Sequence, residues 1–210
     1  MTGSTSLVEL GKPHRPVYFA SMEATAEFRF SSGRLSLDLP ATIRKRLSKP
    51  FDTLSPRGAT ARWLQESGLV DGLLQLTEAQ LIRVDALRQA IWELAGAVSC
   101  DATLPRAASD ILNAAAALPL AVPRFDAQTG GSKFVAEDPF ESALATIARD
   151  AIDLLAGPSK SRIKACAQGD CGMLFLDASR SGRRRWCSMD RCGSRAKGSA
   201  FRNRQMETRI

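Results

Sequence analysis

Residues 166–192 read CAQGDCGMLFLDASRSGRRRWCSMDRC, and this stretch decides the fold of the C-terminal quarter of the chain. Cys166 and Cys171 form one C-x4-C pair, Cys187 and Cys192 a second, with a run of arginines between them. Paired spacing of this kind suits zinc, because one tight knuckle aims two sulfurs at an ion and a second knuckle closes the tetrahedron. Four sulfurs leave no position for water or substrate, so the ion expected here is a single structural Zn2+. Ordinary buried thiols or two disulfides would explain neither the equal spacings nor the polar surroundings. The N-terminal MTGSTSLVELGKPHRPVYFA has no apolar core of a secretory signal, so a cytoplasmic location is expected, where disulfides are rare. Cys100 stands outside the set, in WELAGAVSC, and reads as a small buried hydrophobe.

Working outward, MLFLD and RRRWC read as two strands joined by ASRSG, and SRAKGSAFRNRQMETR as a closing helix. The order knuckle, hairpin, knuckle, helix predicts a treble-clef-like finger, with Met173, Phe175, Trp186 and Phe201 as its minimal core. So small a unit buries too little to fold alone, and metal binding has to supply the difference.

Charge separates this tail from the rest. The chain has 29 Lys+Arg and 22 Asp+Glu; from Pro158 onward there are 13 and 4, which leaves 16 and 18 for the preceding 157 residues. The excess of positive charge belongs wholly to the tail and points to a polyanionic partner, nucleic acid first. Arg195, Arg202 and Arg209 recur every seven residues, as do Lys197 and Arg204, which places them in two nearby rows of a helix. Arg183, Arg184 and Arg185 add a cluster before it. Guanidinium forks suit phosphate, and a basic helix fits a major groove. The competing reading is a solvated face that keeps a small module soluble. Few large apolar residues accompany these charges, which disfavours a membrane surface, and no apolar run is long enough to span one.

The remaining residues predict an α+β domain, mostly helical with β-hairpins. Residues 1–22 read as a flexible arm holding His14, 23–157 as the main domain and 158–210 as the finger, with the boundary at Gly157-Pro158 and the Ser/Lys-rich SKSR. EFRFSSGRLSLDL alternates around an SSG turn and predicts a hairpin, followed by a helix over 41–47. TARWLQESG predicts a short helix closed by Gly68. TEAQLIRVDALRQAIWELAGAV opens on a capping box at Thr77 and Gln80 and predicts a long amphipathic helix. RAASDILNAAAAL predicts another, LAVPRFDAQTGGSKFVAED a second hairpin, and Asp138-Pro139 with Glu141 starts a helix ending at Gly157. With one histidine, in the arm, and no phosphate loop, nucleophile elbow or H-E-x-x-H, the chain is not expected to be an enzyme.

The stretch C-x4-C-x2-LFLDASRSGRRRWCSMDRCGSRAKGSAFRNR closely resembles the CGNR zinc finger, a C-terminal module of bacterial proteins. GRLSLDLPAT and RWLQESGL resemble the ABATE domain that accompanies it in stress-induced transcriptional regulators. The resemblance implies zinc on Cys166, Cys171, Cys187 and Cys192, and DNA contacts from Arg184, Arg185, Arg195 and Lys197. Ser194 stands where the family motif has Asn, and Pro40-Ala41 replaces a hydrophobic-Asn pair after LDL, removing an amide from a candidate ligand-facing turn. Asp38 matches the family's acid, placed either to bind a ligand or to hold a turn.

These readings converge on a DNA-binding regulator whose main domain dimerises or binds an effector. The alternative is a small-molecule binder whose finger is a structural or docking module; a basic helix packed against the main domain would favour it. RNA is a third partner class, with Trp186 and Phe201 as the candidate stacking surfaces.

Overall fold

The computed structural model describes residues 27–56 and 58–207. The proposed arm, His14 and Arg209 lie outside them. Twelve labelled elements follow in order: α1 (Leu35–Asp38), β1 (Ile43–Arg44), β2 (Phe51–Asp52), α2 (Ala59–Glu66), α3 (Glu78–Ser99), α4 (Arg106–Ala116), β3 (Val122–Asp126), β4 (Gly131–Val135), α5 (Pro139–Ala156), β5 (Ile163–Ala165), β6 (Leu174–Leu176) and α6 (Ser194–Glu207). The fold is α+β as expected, with three antiparallel strand pairs, β1–β2, β3–β4 and β5–β6.

The long helix α3 is the axis of the main domain. Thr77 accepts from the Gln80 N–H and the Gln80 side chain returns to the Thr77 N–H, so the predicted capping box is formed. Val84, Leu87, Ile91 and Leu94 are buried at helical spacing against α4 and α5, where Leu112, Phe140, Leu144 and Ile147 close the core with Trp63 and Leu64 of α2. Asp138 caps α5 by accepting from the Phe140 and Glu141 N–H groups, which supports the helix by about 1 kcal/mol. The TGG turn joins β3 and β4 in the register Val122↔Val135 to Asp126↔Gly131.

Three expectations are corrected. The hairpin predicted over EFRFSSGRLSLDL is absent: residues 31–34 make a turn into α1. The alternation of leucines reflects docking, not a strand. Leu37 and Leu39 are buried, Arg34 pairs with Asp150 and Asp153 of α5, and the Ser36 N–H donates to Asp150 at 2.9 Å. Burial raises the pKa of Asp150, but the Arg34 and Ser36 hydrogen bonds outweigh it and hold the carboxyl below its ordinary value. The helix predicted over 41–47 is instead a 3-10 turn, Pro40–Thr42, leading into β1. Arg88 of α3, buried, explains the switch: it donates to both oxygens of Asp52 on β2 at 2.7 Å and to the Thr42 hydroxyl at 3.1 Å, which pins β1–β2 to the core. Cys100, expected inside, is exposed at the end of α3.

Candidate metal centre and nucleic-acid interface

The finger's hairpin uses a different strand from the one its sequence suggests. β6 does not pair with RRRWC; it pairs with β5, which precedes Cys166, in the register Ile163↔Leu176 to Ala165↔Leu174. The hairpin therefore encloses the first knuckle, and residues 177–188 form a loop back to the second. That loop is organised by Asp177, which is fully buried. Its carboxylate accepts from the Ser179 hydroxyl and N–H and from the Arg184 N–H, and it lies 3.1 Å from the Lys164 ammonium. The Ser179 contacts first, with Lys164 and Arg184, hold the carboxyl well below its ordinary range.

Cys166, Cys171, Cys187 and Cys192 are all buried, with their sulfurs within 4.8 Å of one another. Cys171–Cys187, Cys187–Cys192 and Cys192–Cys171 are 3.7, 3.6 and 3.7 Å apart. Zinc–sulfur bonds of about 2.3 Å in a regular tetrahedron set the sulfurs about 3.8 Å apart, so the set fits the ion. As thiols, the group shares charge unevenly. Hydrogen bonds from Cys171 and Cys187 hold Cys166 far below its ordinary pKa, while their bond to Cys166 pushes Cys171 up to about 12 and raises Cys187 as well. Zinc binding therefore releases protons. Four thiolates outweigh a divalent ion's charge, and two donors offset the excess: the Cys187 N–H on Cys166 Sγ and the Arg195 guanidinium on Cys192 Sγ, each at 3.5 Å.

The main domain grips the first knuckle. The Arg46 N–H donates to the Cys171 carbonyl at 3.1 Å, and the Trp92 indole donates to the Gly172 carbonyl at 3.0 Å. Gly172 sits at φ +67°, and a Cβ there would meet Leu47 Cγ at 2.9 Å. Ile163 and Leu174 share a buried cluster with Leu37, Ala95 and Leu154. Ala41, on the turn where the family pattern has Asn, packs against the zinc cluster itself, so that turn faces the finger.

The second knuckle is held from within the finger. The Arg184 guanidinium lies 4.5 Å over the Phe175 ring and donates to the carbonyls of Trp186 and Cys187. A wide π-helical turn, Met189–Gly193, then carries the chain into α6. Ser194 does not accept from the helix; its hydroxyl donates to the Met189 carbonyl at 3.0 Å. Met173, Phe175 and Trp186 pack around the cysteines as predicted, whereas Phe201 is 54% exposed on α6.

The basic residues separate into two kinds. Arg184 and Arg195 are engaged internally, Arg195 through a two-pronged pair with Asp170 at 2.7 and 3.0 Å that raises its pKa. Arg183, Arg185, Lys197, Arg202 and Arg204 are exposed. Arg202 also joins a groove of about 710 Å³ along α6, whose walls include the zinc-binding Cys171, Cys187 and Cys192, Arg191 and, from the end of β1 and the loop after it, Arg44 and Lys45. Sequence reasoning missed these last three. The run IRKRLSK at 43–49 was the one visible signal for Arg44 and Lys45. Asp38, by contrast, accepts from the Ser32 N–H at 2.9 Å and is buried, so in this structure it holds the turn before α1; burial raises its pKa.

A helical domain fused through its own core to a closed four-cysteine finger defines the class: a two-part zinc-finger protein. Residues 33–158 match the ABATE family model, described as "Putative stress-induced transcription regulator", and residues 162–205 match the CGNR zinc finger. The chain belongs to the ABATE family and carries a CGNR zinc finger. No curated protein matches it. Among the described residues no helix is long and apolar enough to cross a membrane.

Proposed function

We propose that the chain is a DNA-binding transcriptional regulator that acts by binding and not by catalysis. In this reading the finger contacts the duplex and the main domain receives an effector or a second copy of the chain. One observation carries it: α6 exposes Lys197, Arg202 and Arg204 while the opposite end of the finger is seated on the main domain. The domain covers the first knuckle and leaves the basic helix open, the reverse of what the docking-module alternative requires.

The test is fluorescence anisotropy of the zinc-loaded chain with random duplex DNA at several salt concentrations. Arg184 and Arg195 are poor probes because they hold the finger together. Arg183→Gln, Arg185→Gln and Lys197→Gln combined should keep zinc, weaken binding at least tenfold, and lower the slope of log K against log salt by about 3. Undiminished affinity in that variant would sink the reading.

A further inference from the structure

The groove beside α6 is built from both parts of the chain. One wall is the finger, with Arg191, Ser194, Arg195, Ser199 and Arg202; the other is the end of β1 with the loop after it, with Arg44 and Lys45. The lining holds five cationic side chains, one carboxylate, Asp190, and three of the zinc-binding cysteines, Cys171, Cys187 and Cys192. The cations are crowded: burial first, then the charges of Arg191 and Arg29, push Arg44 below the ordinary arginine value. The Arg191 Nε is buried with no hydrogen-bond partner. Arg195 is already paired with Asp170, but among the described residues Arg44, Lys45, Arg191 and Arg202 form no ion pair, and like charges brought together in this way are costly in isolation and favourable once an anion sits among them.

The β1–β2 loop is also held rigidly toward the groove. Arg88 anchors β2, the Arg46 N–H is bonded to the first knuckle, and the Arg46 guanidinium lies 4.6 Å over Trp92. Lys45 takes a left-handed backbone conformation, φ +50°, which a lysine adopts only at a cost. Its side chain is exposed at the groove.

We infer that the main domain contributes Arg44 and Lys45 to a composite phosphate seat, in which a phosphodiester of the DNA backbone lies between the end of β1 with the loop after it and Arg191 and Arg202 of the finger. This rests on the proposal that the finger binds DNA, and adds that the ABATE domain is itself part of the DNA-contacting surface. A backbone phosphate suits the site better than a base edge, because the groove offers charged donors from two walls.

The experiment uses the full zinc-loaded chain and a random duplex. Arg44→Gln and Lys45→Asn should each lower the salt slope, by about 1 for the pair because the seat holds one phosphate, and weaken binding equally across DNA sequences. Arg124→Gln, on the distant β3–β4 hairpin, should change neither. Lys45→Asn keeps the trial decisive if Arg44→Gln misfolds, since Asn tolerates the left-handed conformation better than Lys does. Salt-sensitive binding by the wild type with unchanged slopes in Lys45→Asn would overturn this inference alone. Absence of wild-type binding would overturn the DNA reading and the inference together. Titration of inorganic phosphate at constant ionic strength separates the sources: phosphate binding lost in Lys45→Asn, with an unchanged DNA slope, would assign the seat to a small phosphorylated ligand and overturn the backbone assignment.

Discussion

The two knuckles of the zinc site have the same spacing and the same ligands, yet they belong to different parts of the molecule. The first is welded to the main domain by the Arg46 N–H, the Trp92 indole and a glycine turn pressed against Leu47. The second is braced by the finger's own Arg184, Phe175 and Arg195 and opens into an exposed helix. The ion joins a fixed half to a presented half. A module too small for its own core thus borrows one on one side and leaves the other side available for a partner.

Metal removal should give the largest effect, and an uneven one. Chelation, or Cys192→Ser, should abolish protection of α6 and the 177–193 loop in hydrogen exchange. Protection of β5 and β6 should persist, because Ile163 and Leu174 remain buried against α3 and α5. Uniform loss across both halves would break the comparison.

Gly172→Ala attacks the welded side. A side chain there meets both an unfavourable positive φ and Leu47 at 2.9 Å, so a loss of about 2–4 kcal/mol is expected, read by denaturant unfolding with zinc content unchanged. Gly198→Ala tests the presented side and should act oppositely. Its Cβ meets only the movable end of Arg202 at 3.4 Å, and alanine in a helix interior gains about 0.5–1 kcal/mol over glycine. Circular dichroism and slower exchange along α6 would register the gain.

The sequence carried the zinc ligands and the long helices plainly because those signals are local: fixed cysteine spacing, a capping box at Thr77 and Gln80, an Asp138-Pro139 start. It misled where distant contacts ruled. Leu35, Leu37 and Leu39 look like strand residues, but Asp150 captures the Ser36 N–H and Arg34, and the segment coils onto α5. The partner of β6 was hidden in IKA, just after the Ser/Lys-rich SKSR, because its pairing depends on a knuckle folding between the strands. Arg183 and Arg184 are adjacent in sequence and indistinguishable by composition; only the Phe175 ring and two carbonyls separate a bracing residue from an exposed one. The part of the groove built by Arg44 and Lys45 is legible only once the first knuckle is seen resting on their loop.

The exposure of Cys100 has a practical corollary. Of the chain's five cysteines, the other four are buried together, so a thiol-reactive dye added to the zinc-loaded protein should label the end of α3 alone. That would place a single reporter on the intact protein without mutating a ligand.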